Sequence, residues 1–338
     1  MSPAAQTLIE KVLKGASLSE QQTETVFEAL LGGAALGDME PLLLSMAERG
    51  ETVDELVGAA SVLRRHAIAV HADGLNAIDT CGTGGDGIST FNVSTAAAFV
   101  AAAAGARVAK HGNCSHTRRS GSAEVMTALG VNVEAPPETV ARCIREVGIG
   151  FLHAARLHPA VGRVAELRKK IGRRTIFNLL GPLINPAGVH RQVVGVPRND
   201  LIEKVAKALH RLGANQAIVV CGDGQLCDFT ITGPSRYIEV RNDQLRSHIV
   251  APADVGLHRA EITTLLVDGP EASAAAIREV LDGKPGPRRD HTLFNAAAAL
   301  LVAGLAKDLS AGVRIAAHAI DDGAARCTLD RLIAESNK

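Results

Sequence analysis

The sequence predicts an α/β protein with a small all-helical N-terminal domain and a mainly parallel central sheet. Three observations carry that expectation. Up to residue 66, apolar side chains recur at helical spacing, with no strand-like alternation. From Asn76 the pattern changes to short β-type runs, each followed by a helical stretch, which is how a parallel sheet with helices on its faces reads. The chain has 338 residues, enough for about two domains.

The helical domain spans 1–70, with apolar periodicity over 5–13, 26–31, 39–46 and 56–63. Ser19 and Thr52 stand where N-caps belong, and Gly32, Gly33 and Gly50 supply stops. Residues 71–74 read as a linker. Strands are expected at 77–81, 106–110, 131–133, 150–152, 192–196 and 217–221. Helices are expected between them, over 92–104, 122–129, 137–147 and 201–212. Two short antiparallel strands follow at 230–232 and 237–240, then helices over 272–281, 292–306 and 311–320. A basic, Pro-bearing, irregular segment at about 163–190 serves as a hinge back to the helical part. The larger α/β domain then comprises 74–162 and 190–338.

Composition narrows the function classes. Lys+Arg and Asp+Glu both number 36, which speaks against a broadly basic nucleic-acid binder. Seven Phe, one Tyr and no Trp leave little for a surface of stacked aromatics. The 33 glycines point to recognition by the backbone. The zero net charge hides a concentration: residues 163–174 hold six basic side chains and one acid. No apolar run approaches the ~20 residues of a membrane helix, and no signal pattern opens the chain. Six scattered cysteines form no CxxC pair, so a cytoplasmic protein with reduced thiols is expected.

The most informative stretch runs from Asp79 to Thr95. A strand ends near Cys81, and Gly82, Gly84, Gly85 and Gly87 follow within six residues. Thr90, Asn92, Ser94 and Thr95 then lead into an Ala-rich helix. Closely spaced glycines let backbone N–H groups converge, and the helix N-terminus adds donors and partial positive charge. That is a phosphate cradle, though neither a Walker A loop nor a clean G-x-G-x-x-G. Asp86 inside it suits a metal-bound diphosphate or ribose hydroxyls better than a bare anion. A tight βα turn of ordinary composition is the competing reading.

The next strand ends in Lys110-His-Gly-Asn113 and a polar loop reaching Ser122. Adjacent parallel strands bring their C-terminal loops together, where α/β ligands bind. Lys110, Arg118 and Arg119 can complement a polyphosphate, or the two arginines can form a solvated face. Asn113 can orient a polar group, and His111 can exchange a proton or simply pack.

Here the motifs acquire a collective meaning. Gly82-Thr-Gly-Gly-Asp86, Asn92-Val-Ser-Thr95, Lys110-His-Gly-Asn113 and Ser120-Gly-Ser-Ala123 occur in order. So do His158-Pro-Ala160, Leu167-Arg-Lys169, Arg174-Thr-Ile-Phe-Asn-Leu-Leu-Gly-Pro-Leu-Ile-Asn-Pro186 and Asn295-Ala-Ala-Ala-Ala299. Together they resemble the anthranilate phosphoribosyltransferase family of tryptophan biosynthesis over essentially the whole chain. The resemblance implies a homodimer with the nucleoside-phosphorylase-like arrangement of a helical and an α/β domain. It implies Mg²⁺-dependent transfer of phosphoribose from 5-phosphoribosyl 1-diphosphate (PRPP) to the amine of anthranilate.

By the same resemblance, PRPP falls to Gly82, Gly84, Gly85, Asp86, Asn92, Ser94, Thr95 and Lys110, and the polar residues Thr90, Arg118, Arg119 and Ser122 of the same two loops are further candidates for it. The acceptor falls to Gly82, His111, Asn113, His158 and Arg168, with Arg168 gripping its carboxylate. Mg²⁺ falls to Ser94 and Asp228, with Cys227 and Asp223 as weaker candidates. The reaction needs no protein nucleophile, and His111 is the one candidate for proton transfer.

This chain departs from the family pattern in three places. Cys114, Arg118 and Arg119 replace an arginine, a serine and a lysine. His153 and Ala155 replace an apolar residue and a proline. Cys227-Asp228 stands where the family carries Asp-Glu, and a thiol is a poor ligand for a hard cation. These departures leave open a paralogue acting on another aromatic or heteroaromatic acceptor. A non-catalytic nucleic-acid-binding relative is disfavoured by the intact glycine loop and the zero net charge.

Overall fold

The structure is a computed structural model that describes all residues except 1, 33–35, 73, 115–119 and 163, and in 36–38 the backbone only. Four helices open the chain: α1 (Pro3–Leu13), α2 (Glu20–Leu31), α3 (Leu36–Arg49) and α4 (Val53–Arg65). Ser19 and Thr52 each close a capping box with the residue three positions on, satisfying N–H groups that the first turn leaves orphaned.

The body alternates strand and helix: β1 (Ile78–Asp79), α5 (Val93–Ala103), β2 (Val108–Gly112), α6 (Ser122–Ala128), α7 (Pro137–Glu146) and β3 (Ile149–His153). Four short helices cross next, α8 (Ala154–Leu157), α9 (Pro159–Gly162), α10 (Ala165–Ile171) and α11 (Phe177–Leu180). The sheet resumes with β4 (Arg191–Gly195), α12 (Asn199–Arg211), β5 (Gln216–Cys221), β6 (Ser235–Arg241) and β7 (Gln244–Val250). Four helices end the chain: α13 (Pro270–Leu281), α14 (Pro287–Ala303), α15 (Leu309–Asp321) and α16 (Ala324–Ser336).

The seven strands lie in the order β3-β2-β1-β4-β5-β6-β7. Pairing is parallel from β3 to β5 and antiparallel for β6 and β7, as the mainly parallel expectation requires. One face buries Phe91, Phe99, Phe229 and Phe294 with α5, α14 and α16. The other buries Val194, Val219 and α12 against Phe27, Leu56 and Phe177. That second core is continuous from the N-terminal helices through α11 to the sheet. Arg64 of α4 reinforces it, donating to the carbonyls of Leu183 at 2.7 Å and Leu212 at 3.1 Å.

Two expected strands do not form. Residues 131–133 make a turn in which the Asn132 side chain accepts from Glu134 N–H at 3.0 Å. That local bond competes with strand pairing in so short a run. At 230–232, the Thr230 hydroxyl accepts from Thr232 N–H at 3.1 Å, again curling the backbone locally. β6 pairs antiparallel with β5 on one side and on the other with β7, polar and largely exposed, reached through Asn242 and Asp243 at φ 50° and 60°. Two adjacent residues at positive φ match the twist of a tight hairpin. The segment 163–190 holds α10 and α11 where irregular chain was expected, and α16 was not anticipated.

Candidate active site

The parallel strands β1, β2 and β4 end side by side, and the glycine loop springs from β1. Gly84, Gly85 and Gly87 have φ of 62°, 87° and 71°, a conformation that other residues enter at a cost. Thr83 N–H donates to the Gly195 carbonyl at 2.8 Å, fixing the loop to the end of β4. Gly195 is itself required: a Cβ there would lie 1.6 Å from the Cys227 carbonyl oxygen. Three backbone segments therefore meet with no space for a side chain.

Asp86 is not an open carboxylate. Its Oδ1 accepts from Ile88 N–H at 3.2 Å and its Oδ2 from Cys227 N–H at 3.3 Å. The Cys227 thiol in turn donates to the Gly84 carbonyl at 3.5 Å. The pair stitches the glycine loop to the segment carrying Asp228.

Lys110 of β2 is buried, its Nζ 3.4 Å from Thr80 Oγ1 and 3.5 Å from Ser94 Oγ. Burial lowers its pKa, and the carboxylates of Asp79 and Asp228 act against that shift. Asp79, fully buried, accepts from His111 N–H at 3.1 Å and from Asn185 Nδ2 at 2.8 Å. Burial pushes Asp79 up to about 6, against the pull of Lys110. Neither Asp79 nor Asn185 was anticipated as part of the site.

Thr80, Gly82, Ser94, Cys227, Asp228 and Asn295 line a small, partly open cavity of about 10 Å³, room for one water. Hydroxyl and carboxylate oxygens on one cavity suit a hard cation, so Ser94 and Asp228 fit Mg²⁺. Cys227 does not fit: its sulfur is a soft donor and is bonded to the loop. Asp223 is exposed, its carboxylate against Gly233, and does not line the cavity.

The remaining candidates divide. Asn92 Oδ1 accepts from the Ser120 and Ser273 hydroxyls at 3.2 and 2.9 Å, so it locks three segments behind the loop. Thr90 and Thr95 are buried and stand apart from the cavity lining. Ser122, at the start of α6, donates to the Asn113 carbonyl at 3.5 Å, and Asn113 and Cys114 are exposed. Arg118 and Arg119 lie outside the described residues.

On the other side of β2, His111 and His158 meet edge to face with ring centroids 5.1 Å apart. His111 Nδ1 lies 3.1 Å from the Gly181 carbonyl, which can only accept, so Nδ1 is assigned the proton and Nε2 the lone pair. Burial pushes His111 down to about 3 and His158 down to about 4, so both are neutral near pH 7. Arg168 of α10 is half-buried, its guanidinium carbon 5.4 Å from the Phe177 ring centroid. Burial lowers its pKa, and it has no carboxylate partner among the described residues. Phe177 rests on Phe27 of α2, so the N-terminal helices support this arginine. His153 is tied to Glu134 at 2.9 Å, and Ala155 is exposed.

The two neutral histidines make stability acid-sensitive. Their folded pKa values lie below the unfolded one, so the unfolded chain binds more protons as pH falls through about 6.5. Stability is held above that pH and lost below it, by about 2 kcal/mol per histidine between pH 7 and pH 5. Urea unfolding at both pH values should show the loss, offset in part by Asp79, which protonates in the folded state near 6, and His158→Gln should reduce the loss by about 2 kcal/mol. An unchanged acid slope in that variant would contradict the assignment.

Comparison with known proteins agrees with this fold. Residues 74–326 match the model described as "Glycosyl transferase family, a/b domain", and 6–67 match its helical bundle domain. The anthranilate phosphoribosyltransferase of Anaeromyxobacter sp. (strain K) is 50% identical over 97% of this chain and 98% of its own. The crystal structure of anthranilate phosphoribosyltransferase from Thermus thermophilus superposes with a TM-score of 0.93 at 39% identity, covering 98% of this chain and 99% of that one. The Saccharomyces cerevisiae enzyme in complex with PRPP and Mg gives 0.90 at 26% identity, with 99% of each chain covered. With both of its parts matched and full-length relatives at this identity, the chain belongs to the glycosyl transferase family that includes the anthranilate phosphoribosyltransferases.

Proposed function

We propose that the protein transfers the phosphoribosyl group of PRPP to the amine of anthranilate, releasing diphosphate. The observation that carries this reading is the juxtaposition at the strand ends. A glycine loop with three positive-φ positions borders a cavity lined by Ser94 and Asp228, with Lys110 behind it.

The amine lone pair attacks the anomeric carbon as the bond to diphosphate breaks, so the protein needs to place two substrates and stabilise a leaving anion. The loop N–H groups and Lys110 supply donors and charge for the diphosphate. Bound Mg²⁺, held through Asp228 and Ser94, supplies further charge neutralisation to the phosphate oxygens. Arg168 grips the acceptor carboxylate, and its cation–π contact with Phe177 helps hold the guanidinium in place for that grip. His111, neutral with its lone pair on Nε2, accepts a hydrogen bond from the attacking amine.

Phosphorus NMR tests the reading directly. With PRPP, Mg²⁺ and purified protein, adding anthranilate should convert the PRPP diphosphate signals into free diphosphate, one per anthranilate consumed. EDTA should stop the conversion. Diphosphate release that is independent of anthranilate would refute transfer.

A further inference from the structure

The basic segment after α9 sorts its charges in three directions. Lys170 pairs with Glu40 at 2.7 Å and Arg173 with Glu48 at 3.6 Å, both on α3. Arg168 stacks on Phe177. Arg174 does neither. It lies two residues beyond the left-handed cap Gly172, and its guanidinium turns back to the glycine loop. Its Nη1 donates to the Gly85 carbonyl at 3.4 Å. A Cβ built on Gly85 would lie 2.6 Å from that same nitrogen, so the absence of a side chain there admits the arginine.

A neutral carbonyl does not balance a guanidinium. Among the described residues Arg174 has no carboxylate partner, and one long hydrogen bond engages one of its five N–H donors. The side chain is half-buried at the edge of the phosphate cradle, where an anion with several oxygens can take the remaining donors in fork geometry.

We infer that Arg174 is a further PRPP-binding residue, its guanidinium contacting the diphosphate held by the glycine loop. This rests on the PRPP reading above. Two arginines six positions apart on one connecting segment would then serve different substrates. Arg168 reaches the acceptor and Arg174 the donor.

The test is calorimetric titration of PRPP, and separately of inorganic diphosphate, into the full-length protein with Mg²⁺ present. Arg174→Ala should weaken both by about 10- to 100-fold, the range of a charged hydrogen bond pair. Its acceptor KM should stay within about twofold, and Arg174→Lys should recover part of the loss. The thermal midpoint should move by no more than about 2 °C. Diphosphate affinity equal to wild type in Arg174→Ala would overturn the inference. So would a loss that falls on acceptor KM and PRPP affinity alike, which would mark Arg174 as a brace for the loop. If the wild type itself fails to bind PRPP, the parent reading fails instead.

Discussion

Arg168→Ala should raise the acceptor KM by about 100-fold while PRPP affinity stays within about twofold. The effect is expected to be large because this guanidinium is half-buried, has no resident carboxylate among the described residues, and sits on an aromatic face. A carboxylate arriving there gains charge-assisted bonds in a partly desolvated setting, each worth about 1.5–3 kcal/mol. Arg168→Lys should recover little, since an ammonium offers neither the planar fork nor the stacking surface. Steady-state kinetics with each substrate varied in turn gives the answer. Equal effects on both substrates would mean that Arg168 braces α10 and does not touch the acceptor.

Asp228→Ala should lower kcat/KM by at least about 100-fold and abolish the strengthening of PRPP binding by Mg²⁺. Asp228 is the carboxylate lining the cavity beside Ser94. The neighbouring Cys227 cannot take over, because its thiol is committed to Gly84 and its N–H to Asp86. Calorimetry of PRPP with and without Mg²⁺ separates the metal effect from turnover. Unchanged Mg²⁺ enhancement in the variant would place the cation elsewhere.

Most of the fold was legible because its signals are local. Capping residues at Ser19 and Thr52, helical periodicity and the strand-loop-helix alternation each lie within a few residues of chain. The glycine loop and Lys110 were legible for the same reason. The misses have the opposite character. Asn185 reaches Asp79 across 106 positions, Arg174 reaches Gly85 across 89, and Cys227 reaches Asp86 across 141. No spacing rule joins such residues. Asp86 illustrates the point: its place inside a phosphate loop is legible, whereas the backbone N–H bonds its oxygens accept from Ile88 and from Cys227 are not. β7 was missed because an exposed edge strand of polar residues lacks the alternation that marks a half-buried one.

The departures at Cys114, His153 and Cys227 now have different weights. Cys227 serves the loop's architecture, and Cys114 is exposed. His153 is held by Glu134, with Arg156 3.7 Å from the same carboxylate. None of the three displaces Lys110, Ser94, Asp228 or Arg168, the groups on which the proposed transfer depends.

The most direct test is kcat/KM for anthranilate against a panel of aminobenzoates and heteroaromatic acids, with PRPP and Mg²⁺ saturating. The account predicts that anthranilate is the best acceptor, consumed one for one with diphosphate released. A different acid preferred by about 100-fold or more, or no transfer to anthranilate at all, would contradict it.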